Sequence, residues 1–573
     1  MADIVKKMAS GFLGLMVAAF VLGGCGEMNT GGPLKAPNMS GPKYGLFEVV
    51  LKSEVKLDNP FTDAQAEAVF TSPSGKDVAA EGFYFGQDEM GVKQWRVRFV
   101  PREHGRWRYA ATLKASGNVV TNERGQFDCQ GTQGHGFLRL SARNPYRMEY
   151  DDGTPFYPIG IQTCSFLQPD FDGPGPDGKR RSTTAEEWGK EFEGAVNLVR
   201  TQMGQGTTAG CALPLIAAGD KKAGVPPGPT DRYDLNLALR IDEAFKVYRE
   251  RGMSQILILF QDMSLWGDGQ SAFGSGRDVV NYKSKAAANL PAQERYIRYI
   301  VARFGCFVDI WELFNEDSFA PDDYLAHLAA VIRKADPYGH LITTNYARPS
   351  AAWSDIITWH EYMGMPANDV DPYLSQQIGL YKSYGKVVQN TEFGNQGGLS
   401  NVDPIKWRVA VWTAFTNESG VLFWGMSGRK VQPSTAPARG NANAYIGPDS
   451  RQHFRVLADF TRDMPVDMKP APIGYTRHKD IRAYALGNGL VTAVYVHHFA
   501  DYQKEYKHPD KLMVQTGPGR FKARWINPAD GKEVAVDEFD TPQQYSLLAV
   551  PPVKIDLACR IDRTGLIELG ANK

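Results

Sequence analysis

Between residues 141 and 465, short apolar runs alternate eight times with stretches of helical periodicity. That alternation leaves few folds open. A fully apolar run must be covered on both faces, and a helical return of a dozen residues or more forces neighbouring strands to run parallel. The runs are Phe156–Gln162, Asn197–Met203, Gln255–Gln261, Phe307–Phe314, Leu341–Asn345, Ile356–Tyr362, Lys386–Thr391 and Gly420–Gly425. The helical stretches are Ala185–Ala195, Asp234–Arg251 stopped by Gly252, Ala292–Phe304 started by Pro291, Asp323–Ala335, Tyr373–Tyr384 and Pro404–Asn417. Only a short link joins the fifth and sixth runs. Eight such units in one sheet predict a (β/α)8, or TIM, barrel over residues 141–465.

The flanks read differently. Residues 43–140 carry alternating stretches at Gly45–Leu51, Ala66–Thr71, Gly82–Gly86, Gln94–Val100 and Gly105–Leu113, with a hairpin turn at Pro73-Ser74-Gly75-Lys76. This is the pattern of an N-terminal β-sandwich. Residues 466–573 return to short strands at Arg482–Gly487, Gly489–His497, Phe521–Asn527, Lys532–Val536 and Tyr545–Val550, which predicts a C-terminal β-sandwich.

The first 25 residues read as a targeting segment. Lys6 and Lys7 precede the apolar stretch Gly11–Leu22, which is too short for a mature membrane span. The stretch ends Val21-Leu22-Gly23-Gly24-Cys25, which resembles a bacterial lipoprotein cleavage site. Lipidation of Cys25 would anchor an exported chain to the cell envelope, with residues 26–42 as a Gly/Pro/Asn/Ser-rich tether. Gly26 in place of Asp after that Cys favours the outer membrane. Cys129, Cys164, Cys211, Cys306 and Cys559 are too widely spaced for a metal cluster, and export leaves a Cys164–Cys211 disulfide open.

Composition excludes some functions. Lys and Arg total 64 against 64 Asp and Glu, so no basic surplus invites nucleic acid. The 11 Trp and 25 Tyr suit a protein that stacks rings on sugars. No GxGxxG follows a strand, and neither a GxSxG elbow, an HExxH pair nor an EF-hand loop is present, so no cofactor and no catalytic metal is expected. Asp170, Asp172 and Asp177 share one loop and leave only a structural Ca²⁺ open.

Active sites of such barrels lie at the C-terminal ends of the strands. The polar and aromatic residues there are Arg200 on the second strand, Asn315 and Glu316 on the fourth, His360, Glu361 and Tyr362 on the sixth, Asn390 and Glu392 on the seventh, and Trp424 on the eighth. A carboxylate closing a buried strand is costly to desolvate and usually has a task. Two of them on different strands are what cleavage of a glycosidic bond requires. Asp262 and Asn345 follow the third and fifth strands as further substrate contacts. The loops Gln168–Thr184, Gly204–Arg232, Asp262–Leu290 and Ser427–Pro448 follow strand ends and would shape a cleft. Trp266, Phe319, Tyr346, Trp353 and Tyr445 are candidate stacking platforms in loops on that face.

Asn-Glu ending the fourth strand and Glu ending the seventh resemble the pattern of the large clan of retaining glycoside hydrolases with (β/α)8 barrels. The Arg on the second strand, the His-x-Tyr on the sixth and the Trp on the eighth extend the match. The arrangement also resembles apiosidase-like barrels preceded by a small β-sandwich. The junction Gly136-Phe137-Leu138-Arg139-Leu140, Asn144-Pro145 and Asp152-Gly153-Thr154-Pro155-Phe156 is similar to theirs. The resemblance implies a glycoside hydrolase acting on an extracellular poly- or oligosaccharide. It implies Glu392 as nucleophile and Glu316 as acid and base, with Asn315 on the sugar 2-OH and Arg200 and Tyr362 on Glu392. His360 would line the subsite and Trp424 would lie under the sugar. Glu312 would form a supporting ion pair and Glu361 would be structural. Two other readings stay open at this point: a non-catalytic glycan-binding surface lipoprotein, and a polysaccharide lyase working through His360, Tyr362 and Arg200.

The N-terminal reading has a direct check. Expressed in a bacterium fed radiolabelled palmitate, the chain is expected to carry label in the membrane fraction, and Cys25→Ser to carry none; label that persists in the variant rules this cysteine out.

Overall fold

The computed structural model describes residues 39–162, 184–203, 215–217, 219, 224–261, 272–273, 282–318, 320–395, 403–424, 447–475, 480–507 and 511–567. Cys25, Cys164, Cys211, Asp170, Asp172, Asp177, Asp262, Trp266, Phe319 and Tyr445 lie outside them. Among the described residues no helix is long and apolar enough to cross a membrane.

The N-terminal domain is two facing sheets. Five strands run in the order Met39–Lys43, Asn118–Thr132, Gly105–Ala115, Ala64–Thr71, Asp77–Glu81; three run in the order Phe47–Ser53, Lys93–Phe99, Phe83–Gln87. Strict alternation in Gly105–Ala115 turns Trp107, Tyr109, Ala111 and Leu113 inward, where they join Phe70, Trp95 and Phe99 in one core. The strand Met39–Lys43 begins inside the segment read as a tether and pairs parallel with Asn118–Thr132. It has little alternation of its own; its partner strand recruits it.

A small antiparallel sheet of Leu138–Leu140, Met148–Tyr150 and Pro155–Phe156 follows. Its Leu138, Met148 and Phe156 pack on Leu198, Ile256, Ile310, Leu341, Ile356 and Val387, at or near the N-terminal ends of barrel strands, and on Leu422. It therefore plugs the bottom of the barrel. Phe156, read from sequence as the start of the first barrel strand, belongs to this plug, and the barrel strand starts at Ile159. Asp309 anchors the plug: Oδ1 accepts from the Leu138 N–H at 3.1 Å and Oδ2 from the Gln255 N–H at 3.0 Å.

The barrel strands are β1 (Ile159–Gln162), β2 (Leu198–Gln202), β3 (Ser254–Gln261), β4 (Ile310–Asn315), β5 (Leu341–Thr343), β6 (Ile356–Met363), β7 (Val387–Asn395) and β8 (Gly420–Phe423). All pair in parallel in the order β5-β4-β3-β2-β1-β8-β7-β6, so the eight predicted strands form one sheet curled into a near-barrel. Side chains bridge the β5–β6 seam: Thr343 Oγ1 donates to the Ile356 carbonyl at 3.0 Å, and Thr358 Oγ1 to the Thr344 carbonyl at 3.0 Å.

The helices are α1 (Ala185–Phe192), α2 (Leu235–Glu250), α3 (Tyr282–Phe304), α4 (Asp322–Ala335), α5 (Val370–Lys382), α6 (Pro404–Thr416) and α7 (Pro448–Thr461). Their ends follow local chemistry. Asp234 caps α2 by accepting the Leu237 N–H at 3.0 Å, and Gly252 beyond it takes φ 73°, which glycine adopts without steric cost. α3 differs from the reading: Pro291 does not start it but lies inside it. Proline is commonest in a first turn, yet here its ring is exposed while Tyr296, Ile297, Ile300 and Phe304 hold the rest of the helix on the core.

The C-terminal domain is again two sheets. Six strands run in the order Lys469–Pro470, Ile481–Gly487, Val491–His498, Asp556–Gly565, Gly519–Ile526, Glu533–Thr541; three run in the order Ile473–Tyr475, Lys511–Gln515, Tyr545–Ala549. Buried ion pairs tie both flanking domains to barrel helices. On the N-terminal side, Arg98 Nη1 lies 2.6 Å from Asp242 Oδ1 on α2, and Arg303 of α3 lies 2.6 Å from Asp242 Oδ2. On the C-terminal side, Arg482 and Tyr484 reach Asp371 of α5 at 2.7 and 2.9 Å, and Asp556 pairs with Arg408 of α6 at 2.9 Å.

Asp242 thus neutralises two guanidiniums that water barely reaches. Asp242→Asn is expected to destabilise the chain by about 3 kcal/mol, read as a lower urea midpoint, because it leaves two buried cations short of one charge. An unchanged midpoint would show that the two arginines are satisfied without it.

Candidate active site

Arg200 organises the C-terminal mouth of the barrel. It is the middle residue of β2, which runs on to Gln202, rather than the strand end read from sequence, and its side chain is fully buried. Its guanidinium makes five hydrogen bonds. Nε and Nη2 form a fork on Glu312 of β4 at 2.8 and 2.5 Å, and Nη2 also reaches Asn315 Oδ1 at 2.7 Å. Nη1 donates to Glu392 Oε1 at 2.6 Å and to Gln162 Oε1 at the end of β1. Two carboxylates beside it raise the Arg200 pKa against the opposing effect of burial.

Glu392 is aimed by a local irregularity. Trp359 of β6 pairs with Asn390 of β7, but His360 pairs with Glu392, so Thr391 is an extra residue. Such a bulge re-aims the residue beside it. The second carboxylate oxygen, Oε2, accepts the Tyr362 hydroxyl. Burial is the largest reason that the Tyr362 pKa rises, with the Glu392 carboxylate next, so this hydroxyl keeps its proton and stays a donor.

Glu316 follows directly after β4 with φ 54°, the left-handed region that a side chain bearing a Cβ rarely enters. Its carboxyl is partly open to solvent, at 23% exposure. Burial raises its pKa above the ordinary carboxylate value and Arg200 opposes the rise. His360 stands between the two carboxylates, with Nδ1 2.9 Å from Glu316 Oε1 and 3.5 Å from Glu392 Oε2. Burial depresses its pKa to about 3, so the ring is neutral near neutrality and orients its neighbours as a neutral imidazole. Trp424, after β8, packs edge-on to Tyr362 with ring centroids 5.4 Å apart. Among the described residues, His360 Nε2 and Trp424 Nε1 are buried without a hydrogen-bond partner, two groups a polar ligand would satisfy.

The structure therefore gathers Arg200, Asn315, Glu316, His360, Tyr362, Glu392 and Trp424 at one mouth. Glu312 sits beneath them on Arg200. Glu361 points away and accepts the Tyr373 hydroxyl at 2.5 Å. Asn345 is drawn into the β5–β6 seam, its amide 3.4 Å from the Thr358 carbonyl, and Trp353 bonds Asp322. Gln162 is absent from the sequence reading, although it too is a polar residue closing a barrel strand.

Glu316, His360 and Glu392 offer ligand atoms within 4.8 Å of one another, the spacing of a metal site. The surroundings disfavour a cation. Arg200 occupies one oxygen of Glu392 and the Tyr362 proton the other, so a metal would displace both beside a fixed positive charge. The same spacing suits two carboxyls acting on opposite faces of one sugar carbon.

Residues 40–114 match the family described as a domain of unknown function, DUF5060. No curated protein matches the chain. Among solved structures, a candidate glycoside hydrolase from Bacteroides vulgatus ATCC 8482 is similar over 92% of this chain and 100% of its own, at 18% identity and a TM-score of 0.66. A family 5 glycoside hydrolase from Bacteroides vulgatus ATCC 8482 is similar over 75% of this chain and 93% of its own, at 15% identity and a TM-score of 0.52. The chain shares the fold of these glycoside hydrolases.

Arg200→Met would leave Glu312 and Glu392 buried without a cation. It is expected to destabilise the chain by about 3–5 kcal/mol, and adding Glu312→Leu to recover part of the loss. A single variant melting within about 1 °C of the parent would contradict this charge balance.

Proposed function

We propose that the chain is a retaining glycoside hydrolase acting on a poly- or oligosaccharide. The observation that carries the reading is the closeness of the two carboxyls: an oxygen of Glu316 lies within 4.8 Å of an oxygen of Glu392. Retaining enzymes hold the pair about 5–5.5 Å apart, and inverting enzymes about 6.5–9.5 Å to admit a water between.

The division of labour follows from surroundings. Glu392, held by Arg200 and Tyr362, attacks the anomeric carbon. Glu316, its pKa raised by burial, gives its proton to the departing glycosidic oxygen as that bond breaks. A glycosyl ester on Glu392 results. Water then adds at the same carbon, loses its proton to Glu316 and releases Glu392, so both carboxyls return to their starting state. The Nε–H of Trp424 and the Nε2 edge of His360, neither bonded to another described residue, are available to sugar hydroxyls. Apiosidase-like specificity, export and a lipid anchor on Cys25 belong to the same proposal and rest on the sequence patterns alone.

The test is reducing-sugar release by the chain lacking residues 1–25 on a panel of plant and algal polysaccharides, with product configuration read by NMR. Glu392→Gln is expected to lower kcat by about 10⁴ or more, and Glu316→Gln by about 10²–10⁴. A general acid works only while protonated, so activity falls as pH rises through the Glu316 pKa. That alkaline limb is expected to vanish in Glu316→Gln. Inverted product, or release that survives in both variants, sinks the reading.

A further inference from the structure

A second cleft lies far along the chain from the catalytic residues, where the N-terminal domain meets α3. Its volume is about 210 Å³, smaller than the ~300–1,000 Å³ of most ligand pockets and a size that suits one sugar ring. Phe61, Tyr84 and Tyr233 line it and lock one another in place: Phe61 stands edge-on to Tyr84 with centroids 5.0 Å apart and to Tyr233 at 5.2 Å. Tyr84 is 7% and Tyr233 8% exposed, and neither hydroxyl bonds another described residue, so both oxygens are left to water or to a ligand.

The charge at this cleft is uneven. Arg298 is neutralised by Glu81 at 2.8 Å. Arg295, one helical turn earlier on the same face of α3, is exposed and has no ion-pair partner among the described residues. The cleft therefore offers an aromatic wall, two phenol hydroxyls without a protein partner among the described residues and one guanidinium without an ion-pair partner there. An aromatic wall takes the apolar face of a sugar ring, the hydroxyls bond its rim, and a guanidinium forks onto a carboxylate.

We propose that this cleft is a non-catalytic binding site for a uronate residue of an acidic polysaccharide, holding the chain on its polymer while the barrel works. Only the ligand class rests on the reading of the barrel as glycan-active.

The experiment is affinity electrophoresis of the full chain carrying Glu392→Gln, so that the polymer is not consumed. The gels contain polygalacturonate, alginate, glucuronoxylan or, as the neutral control, galactomannan. Each variant is referred to its own mobility without polymer, which removes the effect of altered charge. Retardation is expected in at least one acidic gel and not in galactomannan. Arg295→Ala and Tyr233→Phe are each expected to weaken it about ten-fold, the loss of a single strong hydrogen bond. Lys76→Ala, an exposed cation outside the cleft, is expected to leave it unchanged. Retardation indifferent to Arg295→Ala and Tyr233→Phe, retardation weakened as much by Lys76→Ala, or no retardation in any acidic gel overturns the proposal. Binding through Arg295 by a chain that never releases sugar would sink the hydrolase reading and leave this one standing. Sugar release without Arg295-dependent binding would do the reverse.

Discussion

A guanidinium sealed from water must have its N–H groups satisfied, and Arg200 makes five hydrogen bonds with its five N–H groups. The partners come from three strands, Gln162 on β1, Glu312 and Asn315 on β4, and Glu392 on β7, and Arg200 itself adds β2 as a fourth. One side chain thus fixes the relative height of strands that are far apart around the barrel. The fork on Glu312 uses two donors and holds the guanidinium plane, which leaves Nη1 pointing at Glu392 with little freedom. A lysine could supply the charge but not the plane.

Around that centre, support comes from outside the barrel. α5 and α6 begin just after the strands bearing His360, Tyr362 and Glu392, and the C-terminal domain grips both helices through Asp371 and Arg408. The N-terminal domain grips α2 and α3 through Asp242. The plug beneath packs on the strand starts. Each contact limits how far a strand end can drift, and carboxyls positioned for one bond tolerate little drift.

The strand and helix pattern of the barrel was legible because both periodicities are strong in this sequence. The eight strands appear where apolar runs stand, within a few residues. What escaped was whatever depends on a distant partner. Met39–Lys43 is a strand because Asn118–Thr132 lies beside it, and Phe156 plugs the barrel because a ring of apolar strand starts receives it. Pro291 reads as a helix start by its local chemistry, and only the packing of Tyr296, Ile300 and Phe304 overrides that. Within the site, strand order alone brought Arg200, Glu316 and Glu392 to one end. The bulge at Thr391 and the backbone turn at Glu316 carry no periodic signature, and Gln162 looked like any polar residue at a strand end.

Glu316 sits in a backbone conformation that glycine would enter freely and that costs an ordinary residue about 1–2 kcal/mol. The acid of the proposed pair is therefore held where the fold itself would prefer another residue. Random drift under selection for folding alone runs downhill, toward a sturdier and silent descendant with glycine there. A lineage in which the glutamate persists is one in which chemistry, not architecture, has kept it.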